Sequence, residues 1–436
     1  MARAERPRSR RKPLTDALDP LIERDRRAIW HPYAQHAIET DPLPVASAQD
    51  ATLTLSDGRV VVDAISSWWA TLHGHGRPEI AHAIAAQAKE LDHVLFAGAT
   101  HEPAVDVAEA LLALAPPGLS RVFFSDDGST AVEVALKMAL QAHAQRGATR
   151  RTRFVGFSGA YHGDTAGAMS VGDPDPFFVP YRALCVPVEH VAVDAAALEA
   201  ALADLGETVA AVILEPLVQG AGGMRMHEPE FVKRVRELCD RHGAFLILDE
   251  VMTGFGRTGS VFAATRCQVT PDLMCVAKGL TGGTLPLAAT LATEHLFGAF
   301  LAEDRRKALF HGHTFTANPI ACAAARASLA ILAAEDTPAR LDAIGTRIEA
   351  RLRASLPDAC VATLRRCGGI VAFDLPRADG EVAGYLAGRS PALRQRALEH
   401  GVLLRPLGDV VYAMPPSCTT SEQCDVIADA MRALAE

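Results

Sequence analysis

The stretch DLMCVAKGLTGGTLPLAAT, residues 272 to 290, puts one lysine at the end of an apolar run and three glycines close behind it. A phosphate loop of the Walker type needs its glycines before the lysine, because they form the backbone cradle and the lysine opens the helix that follows. Here the order is reversed. The run that ends at Lys278 reads as a strand buried on both faces, where an unpaired ammonium is costly and its pKa falls. Such a lysine is either a nucleophilic amine suited to bonding a carbonyl carbon, or a structural charge that pairs or snorkels to solvent.

Outward from this stretch, helical patterns alternate with short apolar runs from about residue 78 to 325. EIAHAIAAQAKELDHV and PEFVKRVRELCDRH carry the helical period, whereas RVFFS, TRFVGFS, AAVILEP, AFLILDE and LMCVAK have the length and composition of strands. This alternation predicts an α/β fold: a large domain with a mostly parallel sheet flanked by helices. Past PIACAAARASLAILAAE, the segments CGGIVAFDL, SPALRQRALEHG, VLLRPL and VVYAMP predict a smaller α+β domain. Nearer the start, PLTDALDPLIERDRRAIWHPY reads as a short helix entering an aromatic turn, and TLTLSDGRVVVDAISSWWA as a hairpin around Asp57-Gly58. The expected divisions are a disordered basic arm over 1–24, a segment over 25–77 that serves the small domain and the site, a large domain over 78–329 and a small one over 330–436.

Composition narrows the function classes. Apolar residues make up 49% and charged residues 22% of 436, and the net charge is −9, so there is no basic field to attract nucleic acid. Nine cysteines with no C-x-x-C pair, in a chain too long to need disulfide staples, predict a reducing, cytoplasmic setting. No apolar run approaches the ~20 residues of a membrane span, and no membrane partner is expected. His73 with His75, and His311 with His313, form two H-x-H pairs, but no carboxylate follows either at a metal-site spacing and no metal is expected.

In open parallel sheets ligands gather beyond the carboxyl ends of the strands, which singles out Ser125, Ser158, Glu215, Asp249 and Lys278. Asp249 and Lys278 each end an apolar run, so they can meet if the two strands are close. An acid and an amine so placed are a plain ion pair or the two poles of a pyridoxal site. In SDDGSTAVEVALKMALQ, Gly128, Ser129 and Thr130 lie where a turn opens a helix, an arrangement suited to an anion and equally to ordinary capping. FSGAYHGDTAGAMS brings Tyr161 and His162 on a glycine-flanked loop, where an aromatic ring can stack on a flat ligand or simply pack.

These pieces together resemble the class III, fold-type I aminotransferases that use pyridoxal 5'-phosphate, over roughly residues 25 to 430. The marks are DDGSTAVEVALKMA, YHGDT, ILEP, LDEVMTGFGRTG, PDLMCVAKGLTGG and HGHTFTANPIACAAA. IWHPY, SSWWATLHGHGRPEI, EPLVQGAGGMRM and LLRPLGDVVYAMPP most resemble the branch that aminates 8-amino-7-oxononanoate with S-adenosylmethionine as donor, in biotin biosynthesis. The resemblance implies that Lys278 holds the cofactor covalently and then moves a proton. It implies that Asp249 pairs with the pyridine nitrogen, that Gly128 and Ser129 bind phosphate, and that Tyr161 covers the ring. It further implies a homodimer in which His313 and Thr314 reach the phosphate across the interface, with Gly312 beside the substrate. Arg405 would hold the acceptor's carboxylate, Tyr33, Trp68 and Tyr412 would line its groove, and Trp69 would pack. Asp164 and Arg257 are expected on the donor side or behind it as supports of the site, or else as helix-cap or ion-pair groups. The glycines after Lys278 would leave room for a flat cofactor and a long substrate. Two departures stand out: His313 replaces a proline found in some relatives, and Ala221 replaces the acid of the QGEGG loop common in glutamate-coupled enzymes.

Overall fold

The computed structural model describes residues 20–38, 40–173, 175, 177–377 and 387–436. Three N-terminal strands, β1 (Val45–Gln49), β2 (Thr52–Leu55) and β3 (Val60–Asp63), precede β4 (Leu119–Ser125), β5 (Arg153–Phe157), β6 (Val188–Val191) and β7 (Val209–Leu214). A short pair, β8 (Val218–Gln219) and β9 (Arg225–Met226), leads to β10 (Phe245–Asp249), β11 (Leu273–Val276) and β12 (Ala288–Thr293). The C-terminal part carries β13 (Arg365–Cys367), β14 (Ile370–Asp374), β15 (Val402–Leu403) and β16 (Val410–Ala413).

Seven strands form the large sheet in the order β4-β12-β11-β10-β7-β5-β6. From β11 to β6 all neighbours are parallel, while β12 runs antiparallel to β11 and β4. Every residue of β7, β10 and β11 is buried, as their unbroken apolar sequences require. Successive side chains serve opposite faces. Ala211, Ile213, Ile247 and Cys275 pack with Ala131, Val134 and Ala135 of the helix Gly128–Gln145, whereas Val212, Leu214, Leu246, Leu248 and Met274 enter the main core on the other side. Each such aliphatic side chain contributes about 1.5–3 kcal/mol on burial. The strands that end at Asp249 and Leu214 therefore lie in the best-buried part of the protein.

The hairpin at Asp57-Gly58 forms as predicted, with β2 and β3 antiparallel and Gly58 at φ +85°. Its sheet is completed from the far end of the chain: β15 pairs in parallel with β3, Val402 opposite Val62 and Leu403 opposite Asp63. β13, β14 and β16 make a separate antiparallel sheet. Residues 20–24 of the expected disordered arm are instead helical, in a helix that begins at Pro20 and runs to Ala28. Buried Ile22 and the Arg26–Asp41 ion pair anchor it, and residues 1–19 lie outside the described ones.

Candidate active site

Adjacent strands bring the acid and the amine together. Asp249 is the last residue of β10 and faces Cys275 of β11, three residues before Lys278. Beyond β11 the chain turns sharply, and Lys278 opens a short 3₁₀ turn at φ +47°, a left-handed conformation that a side chain adopts only under constraint. The constraint comes from the glycines that follow. At Gly283 a Cβ would lie 2.5 Å from the backbone carbon of Ala70, and at Gly282 it would lie 2.8 Å from Ile80. The space at Gly283 is filled by the turn over 66–72 and that at Gly282 by Ile80 and His73, so neither is held open for a ligand as expected. Leu72 N donates to Gly282 O across this contact.

Burial holds the Lys278 amine below the ordinary lysine range, against the pull of the Asp249 and Glu215 carboxylates, which favour its charged form. The Trp69 ring faces the amine, with Lys278 Nζ 4.9 Å from its centroid. Trp69 Nε1 donates to Tyr412 Oη at 2.9 Å. Trp69 is buried as the packing expectation requires, yet it also borders the lysine. Tyr412, expected along the groove, is 2% exposed and stands edge-on to Trp69.

Asp249 is held at both oxygens. His162 Nδ1 lies 2.7 Å from Asp249 Oδ2, and Val251 N donates to Oδ1 at 3.0 Å. His162 was legible only as a neighbour of Tyr161; its place against Asp249 depends on β5 and β10 flanking β7. Glu215, at the end of β7, accepts from Tyr161 N and Gly220 N, and burial pushes its carboxyl up to about 7. Glu250 behaves likewise, raised to about 7 by burial while accepting from Ala263 N, Ala264 N and Thr253 Oγ1.

The helix Gly128–Gln145 begins beside this cluster. Asp127 and Thr130 form a reciprocal capping box, so the Thr130 hydroxyl is spent on the helix. Gly128 and Ser129 occupy the first turn, whose amides have no acceptor within the helix. A Cβ on Gly128 would meet Val251 at 2.6 Å, which ties this turn to the segment just past Asp249. Ser129 Oγ bonds Thr165 Oγ1 at 2.8 Å, and Ser125 Oγ, at the end of β4, is buried with no partner among the described residues.

A second group of side chains comes from distant loops. Tyr33 Oη donates to both oxygens of Asp164 at 2.7 and 2.8 Å, and lies 3.1 Å from Tyr161 Oη. Burial, then Tyr33, pushes the Tyr161 hydroxyl well above its usual range, so it stays protonated. Asp164 therefore orders two tyrosines and caps no helix. Trp68, 43% exposed, meets the Tyr33 edge at 5.7 Å and carries the Arg405 guanidinium 4.3 Å above its ring. Arg257 supports the site from behind: it is buried, brought down to about 10 by that burial, and donates to the carbonyls of Pro415, Trp69 and Thr71. In the loop 311–316, His313 Nδ1 lies 3.0 Å from Asp126 Oδ2 and His311 lies 3.0 Å from Lys137 Nζ, while Gly312 and Thr314 are exposed. His73 bonds Ser328 and His75 bonds Asp63.

Residues 33–434 match the family model for class-III aminotransferases. The adenosylmethionine-8-amino-7-oxononanoate aminotransferase of Synechococcus elongatus is 47% identical over 408 residues, which span 90% of this chain and 94% of that one. The chain is a class-III aminotransferase. Among solved structures, the enzyme of that same name from Methanocaldococcus jannaschii superposes with a TM-score of 0.90 at 34% identity, covering 95% of this chain and 98% of its own. An amine transaminase from an uncultivated Pseudomonas species, solved in its PLP-bound form, gives 0.85 at 34% identity over 93% and 98% of the two chains.

Class-III aminotransferases work with pyridoxal 5'-phosphate, and the residues present fit that group. The buried amine of Lys278 can engage an aldehyde, and the Asp249 carboxylate, braced by His162, can hold a ring nitrogen. The helix start at Gly128 and Ser129, three residues past the end of β4, suits a phosphate.

Proposed function

We propose that this aminotransferase moves an amino group from S-adenosylmethionine to 8-amino-7-oxononanoate, giving 7,8-diaminononanoate for biotin synthesis. The observation that carries the reading is Arg405 stacked on Trp68, across the tyrosine cluster from Tyr161. A guanidinium over an apolar ring suits a long acceptor that ends in a carboxylate, which it can grip bidentately. The aromatic faces of Tyr33 and Trp68 suit a sulfonium or an adenine. The names of the relatives from Synechococcus elongatus and Methanocaldococcus jannaschii support the same pair of substrates.

Pyridoxal phosphate, when bound, supplies an aldehyde for covalent attachment and a ring that draws off electrons from the reacting carbon. Lys278 Nζ would hold it and afterwards take and return a proton, a task for which an amine kept below its ordinary pKa is suited. Asp249 would keep the pyridine nitrogen protonated, with Gly128 and Ser129 at the phosphate. The Tyr161 hydroxyl, protonated and bonded to Asp164, would orient substrate without giving up its proton.

A homodimer accompanies this reading. Phe310 and Phe315 are exposed on either side of Gly312, His313 and Thr314, which suits a loop covered by a second copy whose phosphate it reaches. Nine free cysteines support a reducing, cytoplasmic setting.

A half-reaction titration tests the assignment. S-adenosylmethionine added to the holoenzyme is expected to remove the near-visible absorbance of the aldehyde form, and 8-amino-7-oxononanoate to restore it. A response confined to lysine or to a simple amine would overturn the donor.

A further inference from the structure

The turn that carries both tryptophans is built in a conformation its residues do not favour. Ser66, Ser67 and Trp69 have φ of +49°, +58° and +65°, and Ser67, at ψ −64°, lies outside the basins open to ordinary side chains. Such a backbone persists only where its surroundings over-determine it. The carboxylate of Asp63 supplies most of that determination. It is fully buried, and its Oδ1 accepts from Ile65 N at 3.3 Å and Ser67 N at 2.9 Å. Its Oδ2 accepts from Ser67 Oγ at 2.8 Å and bonds His75 Nε2 at 3.0 Å.

Asp63 is also the last residue of β3, directly opposite Leu403 of β15, and Ala64 N donates to Leu403 O. Two residues after Leu403 comes Arg405. One residue thus governs both members of the Trp68–Arg405 stack: the turn that presents Trp68 hangs from its side chain, and the strand that delivers Arg405 is registered on its backbone. The opposite side of the turn is held separately, by Ser66 Oγ on Met414 O and by Arg257 on the carbonyls of Trp69 and Thr71.

The geometry points to Asp63 as a positioning residue for the acceptor: through the Ser67 turn it fixes Trp68 beneath Arg405, and so sets the carboxylate-binding end of the groove. This rests on the acceptor reading above. Ser67→Gly gives the cleanest variant, because glycine takes positive φ without strain and the change removes one of the four bonds to Asp63. Asp63→Asn is the direct variant; if it fails to fold, Ser67→Gly decides the matter.

Both would be made in a Trp30→Phe background. Trp30 is 90% exposed, and its removal leaves Trp68 and Trp69 as the emitting residues. Ser67→Gly is expected to keep the melting temperature, to raise acrylamide quenching of the remaining fluorescence, and to raise the acceptor KM roughly tenfold with little change in kcat. Asp63→Asn should do the same more strongly, and Asp63→Asn combined with Trp68→Ala should lose no more than Trp68→Ala alone, since the two act through one contact. Folded variants with unchanged quenching and unchanged acceptor KM would overturn the inference, as would losses that multiply in the double variant. Should the parent enzyme turn over a different acceptor, the substrate reading fails and the quenching arm still decides whether Asp63 holds Trp68.

Discussion

The two halves of the candidate active site are built by different means. The half around Lys278, Asp249 and Glu215 stands on the ends of neighbouring strands, β11, β10 and β7, in the most buried part of the sheet. The half around Trp68, Arg405 and Tyr33 is assembled from three turns far apart in sequence, and much of it is exposed. Strand ends give fixed spacing and low dielectric, which reaction chemistry needs; turns can be exchanged without disturbing the sheet, which suits the choice of substrate. Changes in the first half should accordingly remove the reaction, and changes in the second should alter affinity.

Lys278→Ala is the strongest test of that division. In the proposed role Lys278 is both covalent anchor and proton carrier, so turnover should fall by about 10⁴-fold or more, with cofactor released on dialysis. Steady-state kinetics and the absorbance of the dialysed protein check it. Substantial residual turnover would mean that the chemistry does not reside at the strand ends.

The same burial has a cost in stability that can be measured at Glu250, which adjoins Asp249. Its folded pKa is raised from 4.5 to about 7, so the native state holds its proton more tightly than the unfolded chain does. The stability this provides is complete below about pH 4.5 and is lost as pH rises through 7. Glu250→Gln cannot titrate. Its unfolding free energy relative to the parent should therefore rise by about 3 kcal/mol between roughly pH 4 and 8, from denaturant melts at each pH. A difference independent of pH would show that the surrounding amides solvate this carboxylate as well as water does.

What could be foreseen from the sequence follows the same division. Asp249 and Lys278 were legible because each ends an apolar run, and a parallel sheet gathers such ends along one edge. The hairpin at Asp57-Gly58 was legible because its turn chemistry is local. By contrast, nothing local tells that β3 pairs with β15 more than three hundred residues later, that Tyr412 is buried beside Trp69, or that Gly283 is glycine to admit the backbone of Ala70. His162 was visible as a residue, but its bond to Asp249 comes from the strand order β5-β7-β10, which periodicity does not encode. The helix from Pro20 was legible within PLTDALDPLIERDRRAIWHPY, but its start was not, since one buried side chain, Ile22, in a charged stretch leaves only a faint apolar pattern.

Arg405 gives the smallest of the expected effects and the sharpest view of the second half. It is partly buried, with its guanidinium over Trp68, so a carboxylate that it meets is gripped in a drier environment than at the open surface. Losing a charged hydrogen-bond partner costs about 1.5–3 kcal/mol, and Arg405→Ala should therefore lower kcat/KM for the acceptor by roughly 10- to 100-fold. Because the carboxylate of the proposed acceptor is far from its reacting carbonyl carbon, the loss should fall on KM, and the donor half-reaction should keep its rate. Arg405→Lys retains the charge but not the planar fork or the stacking, so it should recover only part of the loss. An acceptor whose carboxylate is replaced by a methyl ester should discriminate poorly between the parent and Arg405→Ala. If the alanine variant instead lost kcat in both half-reactions, Arg405 would be supporting the chemistry itself, and the two halves of the site would not be separable.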